Sequence, residues 1–286
     1  MTNCDTCGKK DGCPSAGAGG CSDGENKSFS DMKEAPHALS KIKKIYGVCS
    51  GKGGVGKSFV TSVLAAKLSR EGYQVGILDA DITGPSIPMA FGLKGPLKGS
   101  EEGIIPAVSH SGIQVVSLNL LSADETAPVI WRGPVISGVV KQFWTDVIWR
   151  GLDVLLIDMP PGTGDVPLTV FQSIPLDGII MVSTPQDLVS MVVSKAQNMA
   201  KMMDVEILGF VENMSYLKCP CCEEKITVFG EGGVDKAAEE LSVPVLDKLA
   251  IDKDVTKLVD KGEIEKISTD VLDQTVKFIE ALIQKG

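Results

Sequence analysis

From residue 45 onward, short solid apolar runs alternate with longer stretches in which apolar residues recur every three or four positions. The runs at 45–49, 75–79, 113–118, 153–158, 178–183, 206–212 and 243–246 have the length and continuous apolar character of strands buried on both faces. Between them, helical periodicity marks 57–70, 134–149, 187–203, 233–241 and 268–284. In the first of these helices Val60, Val63, Leu64 and Leu68 recur at helical spacing. Strands alternating with helices predict an α/β fold: a mostly parallel, doubly wound sheet with right-handed crossovers and helices on both faces. The last helical stretch carries Val271, Leu272, Val276, Ile279, Leu282 and Ile283 with few basic residues between them. It reads as a packed terminal helix rather than a membrane anchor.

The first 28 residues break the pattern. They carry Cys4, Cys7, Cys13 and Cys21 among Gly, Ser, Asp and Lys, with almost no large apolar side chain, so they cannot build a core. The chain therefore divides into a cysteine-bearing tail at 1–28, a linker at 29–44 with a short basic lead into the first strand, and one large domain at 45–286.

Between the first strand and the first helix stands Gly51-Lys52-Gly53-Gly54-Val55-Gly56-Lys57-Ser58. Strand, glycine-rich loop and helix form the context of a P-loop, whose inward backbone N–H groups cradle nucleotide phosphates. Lys57 is placed to reach the β- and γ-phosphates, and Ser58 to help hold Mg²⁺. The helix N-terminus adds partial positive charge. Lys52 is a second cation at a position where the motif accepts any residue, and it needs an anion to meet. Two further strands end in acid: 75–78 runs into Asp79-Ala80-Asp81, and 154–157 into Asp158-Met159-Pro160-Pro161-Gly162-Thr163-Gly164-Asp165. Open parallel sheets bind ligands at the carboxyl ends of their strands, so these acids are placed to serve a phosphate-bound Mg²⁺.

With 286 residues and 43% hydrophobic content the chain has ample material for one large core. A net charge of −9 lacks the electrostatic footprint of a nucleic-acid binder. No secretory pattern opens the chain and no apolar run is long enough to span a bilayer, so the expectation is a cytoplasmic protein without membrane or nucleic-acid partners. Eight cysteines without an export signal point to thiolate chemistry in a reducing compartment.

Cys49 lies in the first strand and reads as a small buried hydrophobe. Cys219 and Cys222 form a C-x-x-C after a strand, with Pro220 stiffening the turn. Two thiolates are half of a tetrahedral sulfur site, and a twofold homodimer supplies the other half. Soft four-sulfur sites suit zinc as well as iron–sulfur clusters. A zinc ribbon within one chain would need two further ligands, and residues 223–245 offer no Cys or His.

The combination of Gly51–Ser58, Leu78-Asp79-Ala80-Asp81 and Asp158–Asp165 resembles the deviant Walker P-loop ATPases. That group includes MinD and ParA, the arsenite-pump ATPase and the nitrogenase iron protein. Trp131-Arg132-Gly133-Pro134, Val211-Glu212-Asn213-Met214-Ser215 and Cys219-Pro220-Cys221-Cys222 resemble its Mrp branch, the iron–sulfur cluster carriers. The resemblance runs from residue 40 to about 285. It implies that Lys52 acts in trans on the partner's nucleotide, that Asp81 positions the attacking water, and that Asp158 and Gly162 sense the γ-phosphate. It further implies that Asn213 hydrogen-bonds adenine, and that Cys219 and Cys222 of two chains bridge a [4Fe–4S] cluster. Cys4, Cys7 and Cys13 resemble part of the cysteine set of cytosolic scaffold relatives, whose fourth cysteine lies upstream; Cys21 would have to substitute here. The tail is thus a second metal site or an unstructured segment.

The function expected is a homodimeric ATPase that uses ATP and Mg²⁺, takes a [4Fe–4S] cluster from a donor and transfers it to recipient apoproteins, with slow hydrolysis. The alternatives are a MinD/ParA-like positioning or partition ATPase and an ATP-dependent iron–sulfur reductase.

Overall fold

The first apolar run becomes β1 (Ile42–Ser50), which starts inside the basic lead, and the phosphate loop delivers the chain from it into α1 (Lys57–Arg70). There follow β2 (Val75–Asp79), α2 (Ser86–Ala90), β3 (Lys98–Gly99), β4 (Ile104–Ile105), β5 (Ala107–Val108), β6 (Gln114–Ser117) and α3 (Gly133–Thr145). The second half contains β7 (Leu152–Asp158), α4 (Asp165–Ser173), β8 (Gly178–Ser183), α5 (Val189–Met203), β9 (Ile207–Lys218), β10 (Lys225–Ile226), α6 (Val234–Leu241), β11 (Val245–Ala250), α7 (Lys253–Asp260) and α8 (Asp273–Gln284). The computed structural model describes residues 33–81, 86–121, 133–162, 165–186, 188–230, 233–267 and 270–285. Cys4, Cys7, Cys13 and Cys21, with Trp131 and Arg132, lie outside the described residues.

The main sheet has the order β10-β9-β8-β1-β7-β2-β6-β5, with β11 also paired to β9. Its long strands are parallel, and antiparallel pairing is confined to β10–β9 and β5–β6 at the margins. One apolar layer packs α3, α4, α5 and α6 on one face through residues such as Trp144, Val170, Ala196 and Ala237. The other face carries α1, α2, α7 and α8 through Leu64, Ile87, Val255 and Ile279. This is the two-sided α/β sheet that alternation predicts. Cys49 is fully buried in it, and burial pushes its thiol pKa far up, which leaves it an inert small hydrophobe. The terminal helix buries Val276 and Ile279 against the body.

Three helices escape the periodicity. Five-residue α2 is too short to show it and contains Pro88. In α4 Pro167 sits in the first turn, where a missing N–H costs little. Eight-residue α7 starts from the side-chain cap of Asp252, which accepts from the N–H groups of Asp254 and Val255. Strand β9 runs beyond its apolar core to Lys218 because β11 and β10 supply partners. The described part of the lead is stitched to the body as well: Glu34 N–H donates to Ser173 O, Lys41 N–H to Trp149 O and Leu152 N–H to Lys41 O.

Glu265 ties α1 to the β5–β6 turn. It accepts from the Ser109 hydroxyl at 2.6 Å, the Ser111 N–H at 2.9 Å and the Ser111 hydroxyl, while Arg70 donates to its carbonyl at 2.9 Å. Burial alone would raise this carboxyl, but the serine hydroxyls and the Ser111 and His110 amides outweigh it and hold its pKa below the ordinary 4.5. A carboxyl with a lowered folded-state pKa adds stability above its unfolded value, and loses it as pH falls through the folded value. Glu265→Gln should therefore flatten the acid limb of the stability–pH curve below about pH 5, read by urea midpoints from pH 3 to 7. An unchanged acid limb would remove Glu265 from that balance.

Candidate functional site

The loop between β1 and α1 turns on two glycines in the left-handed region, Gly54 at φ 79° and Gly56 at φ 83°. A Cβ on Gly56 would stand 2.1 Å from Asn213 Nδ2. That amide donates to Val55 O at 2.9 Å, so Asn213 reaches from β9 to brace the loop from behind, and it is buried there. The resemblance places this residue at adenine; the structure places its amide N–H on the loop. A second brace comes from α5, where Lys195 Nζ donates to Gly51 O at 2.5 Å. At the front of the loop, the Ser50 hydroxyl holds the Lys52 carbonyl at 3.0 Å. Nothing in the periodicity of α5 singled out Lys195.

Parallel registration brings the acids together. On β7, Asp158 stands opposite Val48 of β1 and opposite Asp79 of β2. Lys57 Nζ lies 2.7 Å from Asp158 and 3.2 Å from Asp81. Asp158 also accepts from the Ser58 hydroxyl at 2.5 Å and the Thr61 hydroxyl at 2.8 Å. Asp79, buried beside it, accepts from the Ser117 hydroxyl at 2.8 Å and the Asp81 N–H at 3.1 Å. Both Asp79 and Asp81 stand at the acidic end of β2; the resemblance singles out Asp81, and the register opposite Asp158 is what brings Asp79 into the cluster.

The electrostatics follow from this crowding. Burial, then the charge of Asp158, pushes the Asp79 carboxyl well above the usual carboxylate range. Burial raises Asp158 too, although Lys57, Ser58 and Thr61 pull against it. Burial alone would lower the Lys57 ammonium, but Asp158, Asp81 and Asp79 hold it above the usual lysine value. Beside this cluster opens a cavity of about 380 Å³. Lys52, Lys57, Ser58, Asp81, Pro161 and Met214 are among its lining residues. Gly162, at φ 84°, donates its N–H to Ser50 O at 3.1 Å and so holds the segment after β7 against the start of the loop. Hydroxyl and carboxylate oxygens beside a phosphate cradle are the hard donor set that suits Mg²⁺.

The C-x-x-C sits at the tip of the β9–β10 hairpin. Lys218 pairs with Lys225, the Cys219 N–H donates to Glu224 O at 2.9 Å, and the Glu223 N–H returns to Cys219 O at 2.9 Å. Cys221 and Cys222 are exposed and Cys219 is half-buried; all three are free thiols. The backbone N–H groups of Cys221 and then Cys222, with the neighbouring thiols, hold the Cys219 thiol below its ordinary pKa. Amides aimed at a sulfur favour the thiolate, the form that binds metal. Among the described residues no group of three or more His, Cys, Asp or Glu is placed to hold a metal within one chain.

The family model for ParA, described as the NUBPL iron-transfer P-loop NTPase, matches residues 41–285. The chain belongs to this family. An iron–sulfur cluster carrier protein of Clostridium perfringens is 44% identical over 93% of this chain and 94% of its own length. One from Methanocaldococcus jannaschii is 43% identical over 100% of this chain and 98% of its own. Among solved structures, a nucleotide-binding protein from Archaeoglobus fulgidus in complex with ADP shares 43% identity. It covers 85% of this chain and 95% of its own, with a TM-score of 0.73. The cell-division ATPase MinD of Pyrococcus furiosus, 20% identical with a TM-score of 0.58 over 85% of this chain and 100% of its own, shares the fold. The iron-transfer NTPases thus include a chain whose P-loop, strand-end acids and mostly parallel sheet are those described above.

Lys57 is the cation that the buried acids of this NTPase depend on. Its removal leaves Asp158 and Asp79 buried without a counter-charge. Lys57→Ala should cost about 3–5 kcal/mol of unfolding free energy by urea titration. Adding Asp158→Asn should recover more than half of that loss. A single variant as stable as the wild type would show that the acids are neutralised elsewhere.

Proposed function

We propose that this protein is an ATP-dependent carrier of iron–sulfur clusters, acting as a homodimer. The observation that carries the reading is the pairing of a complete phosphate site with a two-thiol hairpin on the strand that braces it. The names of the relatives point the same way.

At the nucleotide end, the loop amides and Lys57 take the β- and γ-phosphates. The Ser58 hydroxyl, with Asp158 behind it, holds Mg²⁺, which neutralises charge on the phosphates when bound. To reach a phosphate Lys57 leaves its contacts with Asp158 and Asp81, so Asp81 becomes available to orient a water on the γ-phosphorus. In hydrolysis the water oxygen bonds to that phosphorus, the bond to the ADP oxygen breaks, and a proton is released with the phosphate. One carboxylate as positioning group makes slow turnover the expectation. Lys52 at the cavity rim serves the nucleotide of the second subunit, in the manner of an arginine finger.

At the other end, Cys219 and Cys222 of each subunit hold one [4Fe–4S] cluster across the dimer axis as cargo. Among the described residues no group of three or more His, Cys, Asp or Glu is placed to hold a metal within one chain, so the C-x-x-C thiols Cys219 and Cys222 leave the rest of a four-sulfur site to a second copy. A zinc ribbon within one chain would need further ligands that the hairpin lacks.

On anaerobic reconstitution, the iron and acid-labile sulfide lost in Cys219→Ala/Cys222→Ala relative to the wild type should be close to one cluster per dimer, with little zinc lost alongside. The double variant Cys219→Ala/Cys222→Ala should lose transfer to an apoprotein yet bind MgATP like the wild type, whereas Cys221→Ala should change transfer less. Stoichiometric zinc, or transfer at the wild-type rate from the double variant, would sink the carrier reading. For the trans role, Lys52→Ala should bind MgATP within a few-fold of the wild type and hydrolyse it at least tenfold more slowly. Wild-type turnover in that variant would remove Lys52 from the reaction.

A further inference from the structure

Both ends of this site hang on one strand. Asn213 of β9 braces the phosphate loop at Val55, and Cys219 follows directly on Lys218, the last residue of β9. From Asn213 to Cys219 an extended chain spans roughly 20 Å. Between them β9 is irregular. Lys248 of β11 pairs with Glu212 and Ala250 with Tyr216, so Asn213, Met214 and Ser215 stand opposite Leu249 alone. This is a bulge of three residues against one in a parallel pair, a device that re-aims a strand and recurs beside active sites. Met214 at its apex has φ 57°. That is a left-handed conformation disfavoured for a side chain of this kind, and Met214 also lines the nucleotide cavity.

The bulge is held under further tension. Ser215 donates across it to Glu212 Oε1 at 2.5 Å. Glu212 is 1% exposed, and its Oε2 has no hydrogen-bond partner among the described residues. A left-handed methionine and a buried side-chain oxygen with no partner among the described residues are both unfavourable, and a regular strand would spare the first. Past Tyr216 the ladder partner is the two-residue β10, so the hairpin that carries the cysteines is free to follow a change in β9.

We propose that the Asn213–Ser215 bulge is a positioning element with two arrangements that couples nucleotide in the P-loop to the grip of Cys219 and Cys222 on their cargo. The proposal rests on the reading of those cysteines as the cluster-holding pair. Phosphate contacts set the loop at Val55 and Gly56. Asn213 is bonded to that loop and moves with it. Met214 is pressed by whatever fills the cavity. The strand beyond Ser215 then changes direction, and with it the spacing of the thiols across the dimer. A ligand shifts such an equilibrium only by its differential affinity for the two arrangements, and the effect is reciprocal.

Reciprocity gives the test. Full-length protein is titrated with Co(II), with and without saturating Mg·AMP-PNP, and the thiolate charge-transfer absorption that is lost in Cys219→Ala/Cys222→Ala reports binding by those two residues. Mg·AMP-PNP affinity is measured calorimetrically with and without Co(II). In the wild type each ligand should change the other's affinity by the same factor, about fivefold or more. In Ser215→Ala each ligand should still bind alone within about threefold of the wild type, and the mutual factor should fall to near one. Met214→Gly, which accepts the left-handed conformation without strain, supplies a second variant should Ser215→Ala fold poorly; its mutual factor should fall likewise. A Co(II) signal indifferent to nucleotide in the wild type, or coupling at wild-type strength in the variants, overturns the bulge as a coupling element and leaves the carrier reading intact. Absence of any Co(II) signal dependent on Cys219 and Cys222 overturns the holding site itself, and the coupling with it.

Discussion

The Lys57–Asp158 ion pair is the contact on which the rest of the site depends. It joins the first residue of α1 to the last residue of β7, and through Asp158 it fixes Ser58, Thr61 and the neighbouring Asp79. A buried ion pair is a poor source of stability, because desolvating both charges offsets most of their attraction. A well-packed apolar pair would hold α1 to the sheet at least as well. What the charges provide is a buried lysine at the head of α1, held between two carboxylates beside the cavity that the loop lines. The surrounding order follows from that placement. The two glycines at positive φ let the loop wrap an anion, Asn213 and Lys195 hold it from two sides, and parallel registration aligns the three strands that bring the acids into range.

The fold was legible wherever a strand was buried on both faces. Solid apolar runs such as 75–79 and 178–183 have no other stable use in a soluble α/β domain, and both return as strands with those bounds. The site was legible where chemistry demands a fixed spacing. Gly51–Ser58 is one such stretch, because a phosphate cradle is local in sequence. The missing parts were non-local. Asp79 acquires its perturbed carboxyl from its register opposite Asp158, and nothing within residues 75–81 encodes which strand lies next door. Lys195 reaches the loop from a helix that begins 138 residues after Gly51. Short helices such as α7 were missed because two turns carry too few positions to display a period.

Asn213 shows how a family pattern and a set of coordinates divide the work. The resemblance selects the residue, and the structure says what holds it: a buried amide against Val55 O, packed so closely on Gly56 that a methyl group there would collide. That contact is a direct hydrogen bond from β9 to the loop, as Lys195 makes one from α5. Asn213 is also the first residue of the bulge, and Met214 beside it combines a left-handed backbone with a place in the cavity wall.

The middle of β9 and the hairpin beyond it obey opposite physical requirements. At the phosphate end Lys57, Asp79 and Asp158 are buried and each holds at least two polar contacts, which suits a site that must discriminate charge within a low-dielectric pocket. At the cysteine end Cys221 and Cys222 face water, and the Cys219 thiol is lowered by amides rather than by a buried cation. A thiolate stabilised in this way stays nucleophilic and accessible, so its ligands can exchange without unfolding anything around them. A redox protein that keeps its cluster has reason to bury it. A protein that gives its cluster away has reason to leave it accessible, and the hairpin beyond β9 leaves Cys221 and Cys222 facing water.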